Sequence, residues 1–181
     1  MDKNETRKIV KQKRDALSAD VVLSKSAIIQ NKFLELITKY TYKNIFIYKS
    51  FKNEVSTEEI ISSLENSKNI YLPRIVGSNM IAVQYNKETL LEGNIFGIYE
   101  PIGTDVHLND FICVLPLIAV DKQGNRIGFG KGFYDRFLEG KNCLKIGLCY
   151  DFQILKSISH ESYDIPLNII ISEKRTIYIT K

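Results

Sequence analysis

A chain of 181 residues is long enough to bury one hydrophobic core, so we expect a single domain. Hydrophobic residues make up 44% and charged residues 25%, which is typical of a globular protein and excludes a disordered or fibrous chain. The formal net charge of +4 suits an anionic small molecule as well as a nucleic acid, so charge alone does not choose between these ligands.

The apolar segments and the cysteines indicate a cytoplasmic protein. The longest apolar run, residues 111–120, includes Pro116 and is shorter than the roughly 20 residues that a membrane-spanning helix needs. The N-terminus lacks the apolar region of a signal peptide. Three cysteines are an odd number, and they lie in or beside apolar segments, which is typical of reduced core residues. We therefore expect no membrane partner.

The chain opens with a predicted basic helix over residues 3–17. Four cations recur at intervals of four, four and three residues, which places them on one face of the helix. Such a face is usually solvated, but it can also lie against phosphate groups, and the sequence leaves both interpretations open. The four cations are Lys3, Arg7, Lys11 and Arg14.

Further helices and short strands alternate after this segment. A second helix is predicted from an N-cap at Ser18 to about residue 40, with Ile28 and Phe33 in its buried stripe. Ser56 and Glu59 have capping-box spacing and predict a third helix that ends near residue 66. The strands are predicted over residues 45–48, 70–73, 81–85, 111–120, 145–150, 169–171 and 176–179, and residues 86–110 are predicted to be mostly loop.

This alternation predicts an α/β fold: a three-layer α/β/α domain with a mostly parallel central sheet, covering residues 1–181 as one unit. The continuous apolar segment 111–120 is typical of a strand that is buried on both faces. Ligands of such sheets bind at the carboxyl ends of the strands. A turn at residues 121–125 and then a glycine-rich segment follow this strand, so we expect a ligand site there.

The glycine-rich segment combines three glycines, two cations and a carboxylate. Glycines let a ligand approach the backbone N–H groups, and successive N–H groups can form a concave anion site. Lys131 and Arg126 add positive charge, and Asp135 can hold a cation that bridges phosphate oxygens. The spacing matches neither the P-loop nor the dinucleotide fingerprint, and the glycines alone fit a hairpin with a solvated lysine equally well. The glycines are Gly128, Gly130 and Gly132.

Residues 125–135 resemble the 5-formyltetrahydrofolate cyclo-ligase family. Members carry Asn-Arg-Leu-Gly, then a glycine-rich stretch and Tyr-Tyr-Asp, and here Ile127 and Phe133 replace the Leu and the first Tyr. The basic N-terminal helix also fits the family's opening, and Glu54 matches a folate-contacting Glu. Further matches are the Pro73-Arg74 pair, Pro116 (followed here by Leu117 where members often have Gly) and Asp164 at a magnesium position.

The resemblance implies ATP-dependent closure of 5-formyltetrahydrofolate to 5,10-methenyltetrahydrofolate, through a phosphorylated formyl (iminophosphate) intermediate. ATP is the implied co-substrate and Mg²⁺ the implied cofactor, held by Asp135 and Asp164, and Lys131 and Arg126 are the predicted catalytic cations. The implied ATP-binding residues are Lys3, Asn4, Glu5, Thr6, Arg7, Arg126, Ile127, Gly128, Phe129, Gly130, Lys131, Gly132, Phe133 and Tyr134. The implied substrate-binding residues are Arg7, Lys49, Glu54, Phe129, Gly130, Lys131, Gly132 and Phe133.

Aromatic residues near these segments can pack against a pterin or adenine ring. Tyr48 is interpreted as a core residue, whereas Phe51, Phe129 and Tyr134 fit either the core or a ligand ring. An RNA-binding protein is one alternative, but the net charge is modest and no known RNA-binding signature occurs. Another enzyme on a related scaffold, similar to a sugar-phosphate isomerase, is a second alternative. We expect a monomer that binds a folate, possibly polyglutamylated, and no nucleic acid.

Overall fold

The computed structural model describes residues 2–180 and contains the predicted alternation of helices and strands. The α-helices are α1 (Lys3–Asp15), α2 (Ala19–Ile37), α3 (Glu58–Leu64) and α4 (Phe133–Leu138). The strands are β1 (Asn44–Ile47), β2 (Asn69–Val76), β3 (Asn79–Tyr85), β4 (Leu91–Gly93), β5 (Tyr99–Pro101), β6 (Phe111–Leu115), β7 (Ala119–Asp121), β8 (Arg126–Ile127), β9 (Cys143–Leu148), β10 (Ile154–Leu155), β11 (Ile169–Ile171) and β12 (Thr176–Tyr178). A short 3₁₀ helix spans Asp151–Gln153.

Seven strands form the central sheet in the order β12-β11-β9-β6-β1-β2-β3. The five inner strands are parallel, and the two edge strands β3 and β12 are antiparallel to their neighbours. Strand β2 pairs with one edge of β1, and β6, which comes later in the chain, pairs with the other edge. The carboxyl ends of β1 and β6 therefore form the switch point at which ligands bind in sheets of this type.

The sheet is buried on both faces, as the α/β/α prediction requires. One face packs against α2 and α3 through residues that include Phe33 and Ile60. The other face packs against α4 and the connecting segments through residues that include Leu138 and Phe137. The fold class predicted from the sequence is confirmed.

The predicted strand over residues 111–120 is wrong as a single element. The chain leaves the central sheet at Pro116, and β7 pairs instead with β8 and β10 in a separate small sheet. Proline has no N–H to donate, which favours a break. The amide of Gln153 donates to the carbonyl oxygens of Leu117 (3.1 Å) and Ile118 (2.9 Å) and so satisfies the interrupted backbone. The Leu117 side chain packs over Gly147, where an added Cβ would lie 2.8 Å from it.

The capping box predicted at Ser56 and Glu59 is also wrong. Helix α3 begins one residue later, after Thr57, and no side chain of its N-cap binds the helix. The Gln30 side chain on α2 provides the acceptor instead, because its Oε1 lies 2.9 Å from the Glu59 N–H and 3.4 Å from the Ile60 N–H. A long-range contact therefore replaces the local cap.

Ser18 is the N-cap of α2 as predicted, although its side chain makes no capping hydrogen bond. The segment 86–110 is mostly loop, as predicted, with the antiparallel pair of β4 and β5 within it. The prediction for Ile28 is wrong, because this residue is 46% exposed and does not belong to the buried stripe.

The three cysteines agree with the expectation of reduced core residues. All three cysteines are free and buried, and burial raises the pKa of the Cys149 thiol above its ordinary value. Among residues 2–180, no helix combines the length and the apolar character that a membrane span requires.

Candidate functional site

The N-terminal helix and the glycine-rich segment, 120 residues apart in sequence, lie side by side. The Arg7 side chain of α1 donates from Nε to the Gly128 carbonyl oxygen at 2.8 Å. A Cβ added at Gly130 would lie only 3.3 Å from the Arg7 guanidinium carbon, so the loop packs directly on this side chain. Val10 fixes the helix against Ile118 and Ile127 below it. The structure therefore brings together the two segments predicted to bind ATP.

Two of the three glycines are needed for their backbone conformation. Gly130 has φ +87° and Gly132 has φ +66°, a region that side chains disfavour, and Gly132 immediately precedes α4. Arg136 on α4 holds the loop, since it donates to the Lys131 carbonyl oxygen and to the Ser78 carbonyl oxygen, both at 2.9 Å. This arrangement argues against a simple hairpin, because the loop leads into a helix.

The two predicted catalytic cations have different environments. Lys131 is exposed at the top of the loop. Arg126 is buried, and its Nη2 lies 2.8 Å from Asp135 Oδ1 while its guanidinium lies 5.9 Å from the centre of the Tyr134 ring. The Arg126 Nε is buried without a hydrogen-bond partner within residues 2–180. The glycine-rich segment thus carries one exposed cation, Lys131, and one buried cation, Arg126, which is held by its ion pair with Asp135.

The two predicted metal ligands lie near each other and each contacts a cation. Asp135 accepts from Arg126 and from the Ile165 N–H at 3.3 Å, and Ile165 directly follows Asp164. Asp164 accepts from Lys3 of α1 and from the Glu161 N–H at 2.7 Å. Partial burial raises the pKa of Asp164 and is the largest single effect. The hydrogen bonds from Lys3 and the Glu161 N–H and the charges of Lys3 and Arg126 together outweigh it, so the pKa lies below its ordinary value.

These two carboxylates are suited to a Mg²⁺ ion whose remaining ligands are phosphate oxygens and water. Mg²⁺ is commonly bound by one or two carboxylates together with phosphate oxygens and water, and not by a complete set of protein ligands. Among the residues that the structure describes, no cluster of three or more His, Cys, Asp or Glu side chains forms such a complete set. Asp135 and Asp164 are therefore suited to a metal that arrives with phosphate.

Glu54 lies in a narrow crevice at the carboxyl ends of β1 and β6. Its Oε2 accepts from the Phe51 N–H at 2.9 Å, and its Oε1 lies 3.8 Å from Arg14 Nη1. Burial raises the pKa of Glu54 to about 7, against the opposing attraction of Arg14. The hydroxyls of Tyr48 and Tyr150 donate to the carbonyl oxygens of Val55 (2.8 Å) and Glu54 (3.2 Å), which fixes the backbone on both sides of the carboxylate.

The other predicted binding residues are distributed around this centre. Lys49 pairs with Glu58 of α3 at 2.7 Å and points along the surface. Phe129 is 47% exposed and covers the Arg14 guanidinium, whereas Tyr134 packs inwards near Phe46. Tyr48 is a core residue, as predicted. In the first turns of α1, Asn4 and Glu5 are exposed and Thr6 is buried.

Arg14, in the crevice, and Asp121, in the turn before the glycine-rich segment, make buried contacts that the sequence did not indicate. Arg14 is only 3% exposed, so the interpretation of the basic helix face as solvated is wrong for this residue. The only sequence signal for Arg14 was its spacing from Lys11, which placed both residues on one face of the helix. Asp121 was read only as part of a turn. Its carboxylate accepts from the N–H groups of Gln123, Asn125 and Ile158, each at 3.0 Å, and from the Asn125 side chain at 2.9 Å.

We expect Asp121→Ala to lower the free energy of unfolding by about 3 kcal/mol or more, because it leaves several buried donors without an acceptor. Asp121→Asn is expected to cost nearly as much, since its NH₂ group would face the Ile158 N–H and the Asn125 amide. Denaturant unfolding measures both effects. Asp20→Ala on the exposed first turn of α2 is the control, with an expected change within about 1 kcal/mol. Equal stabilities of the Asp121→Ala and Asp20→Ala variants would contradict this role.

A mostly parallel α/β sheet with a cationic glycine loop and a buried carboxylate at its carboxyl edge has its candidate site where proteins of this fold class bind small ligands. The chain belongs to the 5-formyltetrahydrofolate cyclo-ligase family, whose sequence pattern matches residues 1–173.

Relatives and solved structures agree with this membership. A Haemophilus influenzae protein named 5-formyltetrahydrofolate cyclo-ligase is 39% identical over 74% of this chain and 78% of its own length. A Mycoplasma genitalium protein of the same name is 35% identical over 94% of this chain and 98% of its own. The solution structure of Aquifex aeolicus 5,10-methenyltetrahydrofolate synthetase superposes with a TM-score of 0.87 at 30% identity, covering 100% of this chain and 94% of that one.

Proposed function

We propose that this protein closes 5-formyltetrahydrofolate to 5,10-methenyltetrahydrofolate with ATP and Mg²⁺, releasing ADP and phosphate. The observation that carries the proposal is the contact between α1 and the glycine loop, directly beside the Glu54 crevice at the sheet's switch point. A phosphate donor and a pterin ring would thus lie next to each other, and family membership supports the same substrates.

The glycine loop and α1 form the proposed phosphate side of the site. The loop N–H groups and Lys131 would contact the transferring phosphoryl group, and Arg7 would hold the loop over it. Lys3 and Arg126 pair with Asp164 and Asp135, so they would lie beside the phosphate oxygens of a nucleotide bound at these carboxylates. Fixed cations of this kind stabilise the charge that develops on phosphate oxygens.

The crevice forms the proposed folate side of the site. Glu54 is an acceptor, and as a carboxylate it can accept two N–H groups from the pyrimidine part of the pterin. The half-exposed ring of Phe129 would pack against the pterin, while the loop brings the formyl group to the phosphate.

The proposed chemistry has two balanced steps. The formyl oxygen attacks the γ-phosphorus, the bond to the ADP oxygen breaks, and an iminophosphate forms. The N10 nitrogen then attacks the activated formyl carbon, its proton passes to solvent or phosphate, and the C–O bond breaks to release inorganic phosphate. Because an amide oxygen is a weak nucleophile, the chain's contribution is to align the reactants and to place Lys131 at the phosphate oxygens.

Asp135 and Asp164 would hold Mg²⁺ between the protein and the nucleotide phosphates. When bound there, Mg²⁺ supplies charge neutralisation of the phosphate oxygens. We expect Asp135→Asn to raise the Mg²⁺ concentration for half-maximal activity by about tenfold, since a neutral amide is a weaker ligand than a carboxylate. A Mg²⁺ titration of turnover at saturating ATP measures this, with Asp20→Asn as the control. An unchanged titration would count against Asp135 as a ligand.

The activity itself is tested by near-ultraviolet absorbance of the protein with 5-formyltetrahydrofolate, because the conjugated methenyl product absorbs there. Growth of the signal that requires both ATP and Mg²⁺ is the expected result. A flat trace from folded protein would refute the proposal. A salt-sensitive affinity for single-stranded RNA together with that flat trace would favour the nucleic-acid alternative.

We further propose that the enzyme is a monomer and that it acts in the cytoplasm, where its three free, buried cysteines would stay reduced. The elution volume of the protein at micromolar concentration tests this directly. A dimer that loses activity on dilution would contradict it.

A further inference from the structure

The guanidinium of Arg14 is buried but incompletely bonded. An arginine has five N–H donors, and burying them without acceptors is costly. The Arg14 Nε has no hydrogen-bond partner among the described residues. The nearest carboxylates to its Nη1 and Nε are those of Glu54 at 3.8 Å and Asp15 at 3.9 Å, both beyond hydrogen-bond distance. Such a group is suited to a ligand with an acceptor atom.

Arg14 and Glu54 are the two charged side chains that line the crevice. Its other polar side chains are already engaged, because Tyr48 donates to the Val55 carbonyl oxygen and Gln153 donates to two backbone carbonyl oxygens. Above its pKa of about 7 the Glu54 carboxylate only accepts, and it lies beside a guanidinium that only donates. The remaining lining residues, Val55, Pro116, Leu117 and Leu148, have apolar side chains.

We propose that Arg14 determines specificity for the 4-oxo group of the pterin. This inference rests on the proposed function. A pterin edge presents two N–H groups, on the 2-amino nitrogen and N3, and then the carbonyl oxygen at C4. Glu54 accepts the two N–H groups, and Arg14 donates to the adjacent carbonyl oxygen. A ring with an amino group at C4 presents a donor to the guanidinium and an N3 without a hydrogen to Glu54, so it loses its partner at Arg14 and one of its two partners at Glu54.

The neighbouring structure keeps Arg14 in this position. The Asn53 side chain donates to the carbonyl oxygens of Arg14 (3.1 Å) and Leu17 (2.9 Å) and so joins the end of α1 to the segment that carries Glu54. The Phe129 ring lies 5.6 Å from the guanidinium carbon and shields it from solvent. The glycine loop therefore covers the same residue that would bind the pterin, so the folate and phosphate sides share one boundary.

The test compares binding of 5-formyltetrahydrofolate and its 4-amino-4-deoxy analogue by calorimetry, without ATP. We expect the wild-type protein to prefer the 4-oxo compound by about 10–100-fold, the range of one hydrogen bond to a charged group. Arg14→Met should reduce this preference by weakening the 4-oxo compound more than the 4-amino compound, and Arg14→Lys should restore part of it. The preference that remains in Arg14→Met is the share of Glu54, which loses the N3–H of the 4-amino ring. Lys11→Met, which removes a charge paired with Asp15 on the same helix, should change neither affinity.

The outcomes separate Arg14 from the proposed function. Equal affinities of the wild-type protein for both compounds would overturn the inference, whatever the stability of the Arg14 variants. A loss of both affinities by the same factor in folded Arg14→Met would also overturn it and indicate a structural role. If the wild-type protein binds neither compound, the proposed function fails together with this inference. If it binds both compounds tightly and with equal affinity, only the inference about Arg14 is refuted.

Discussion

Replacing Lys131 with alanine is expected to leave the fold intact and to reduce kcat by about 100–1000-fold, the range observed when one preorganised donor to a developing charge is removed. Lys131 is exposed at the top of the glycine loop, so its side chain contributes little to packing. The loop is held by Arg136, which binds the backbone oxygen of Lys131 and not its side chain. The substitution should therefore remove charge without moving the loop.

The measurement is steady-state turnover by near-ultraviolet absorbance, together with denaturant unfolding of the same variant. We expect kcat to fall much more than the KM for ATP rises, because the lost interaction forms in the transition state. Lys122→Ala removes an exposed lysine from the preceding turn and should keep turnover within about twofold. Near-normal turnover of Lys131→Ala would refute the catalytic assignment of this residue.

The sequence predicted the segments of the site better than it predicted their contacts. Periodicity identified α1, and the glycine spacing identified the loop, because both signals are local in sequence. Neither signal indicates that Arg7 would lie against Gly128 or that Lys3 would reach Asp164, since these pairs are 121 and 161 residues apart. The contact of α1 with the loop followed from the family resemblance, which placed both segments at one ligand.

The wrong predictions have a common physical origin in long-range hydrogen bonds. Ser56 and Glu59 have the spacing of a local cap, but the Gln30 side chain reaches the same N–H groups from α2. In the apolar run 111–120 the only local sign of the break is Pro116, because the residues on both sides of it are equally buried. Gln153 stabilises that break from 35 residues away. The pattern of apolar residues therefore predicted the core correctly, but it did not predict the break at Pro116 and Leu117, which line the crevice.

Glu54→Gln is expected to raise the free energy of unfolding at pH 8 by about 3 kcal/mol. Burial raises the pKa of Glu54 from 4.5 to about 7. The folded protein therefore retains a proton that the unfolded chain releases, and this contribution to stability is present below about pH 4.5 and lost as pH rises to about 7. Each pKa unit corresponds to about 1.4 kcal/mol, which gives the expected size of the effect. Glutamine resembles the protonated side chain and can still accept from the Phe51 N–H.

Unfolding of the wild-type and Glu54→Gln proteins should therefore coincide near pH 4.5 and diverge towards pH 8. Glu35→Gln on the exposed face of α2 is the control, and it should leave the difference near zero throughout. The opposite sign at pH 8 would mean that the attraction between Glu54 and Arg14 outweighs the burial of the carboxylate. The same substitution should weaken folate binding, because an amide offers one acceptor where the carboxylate offers two. A residue that destabilises the free protein at neutral pH yet is required for binding is retained for its ligand, and the pair of measurements distinguishes this from a structural role.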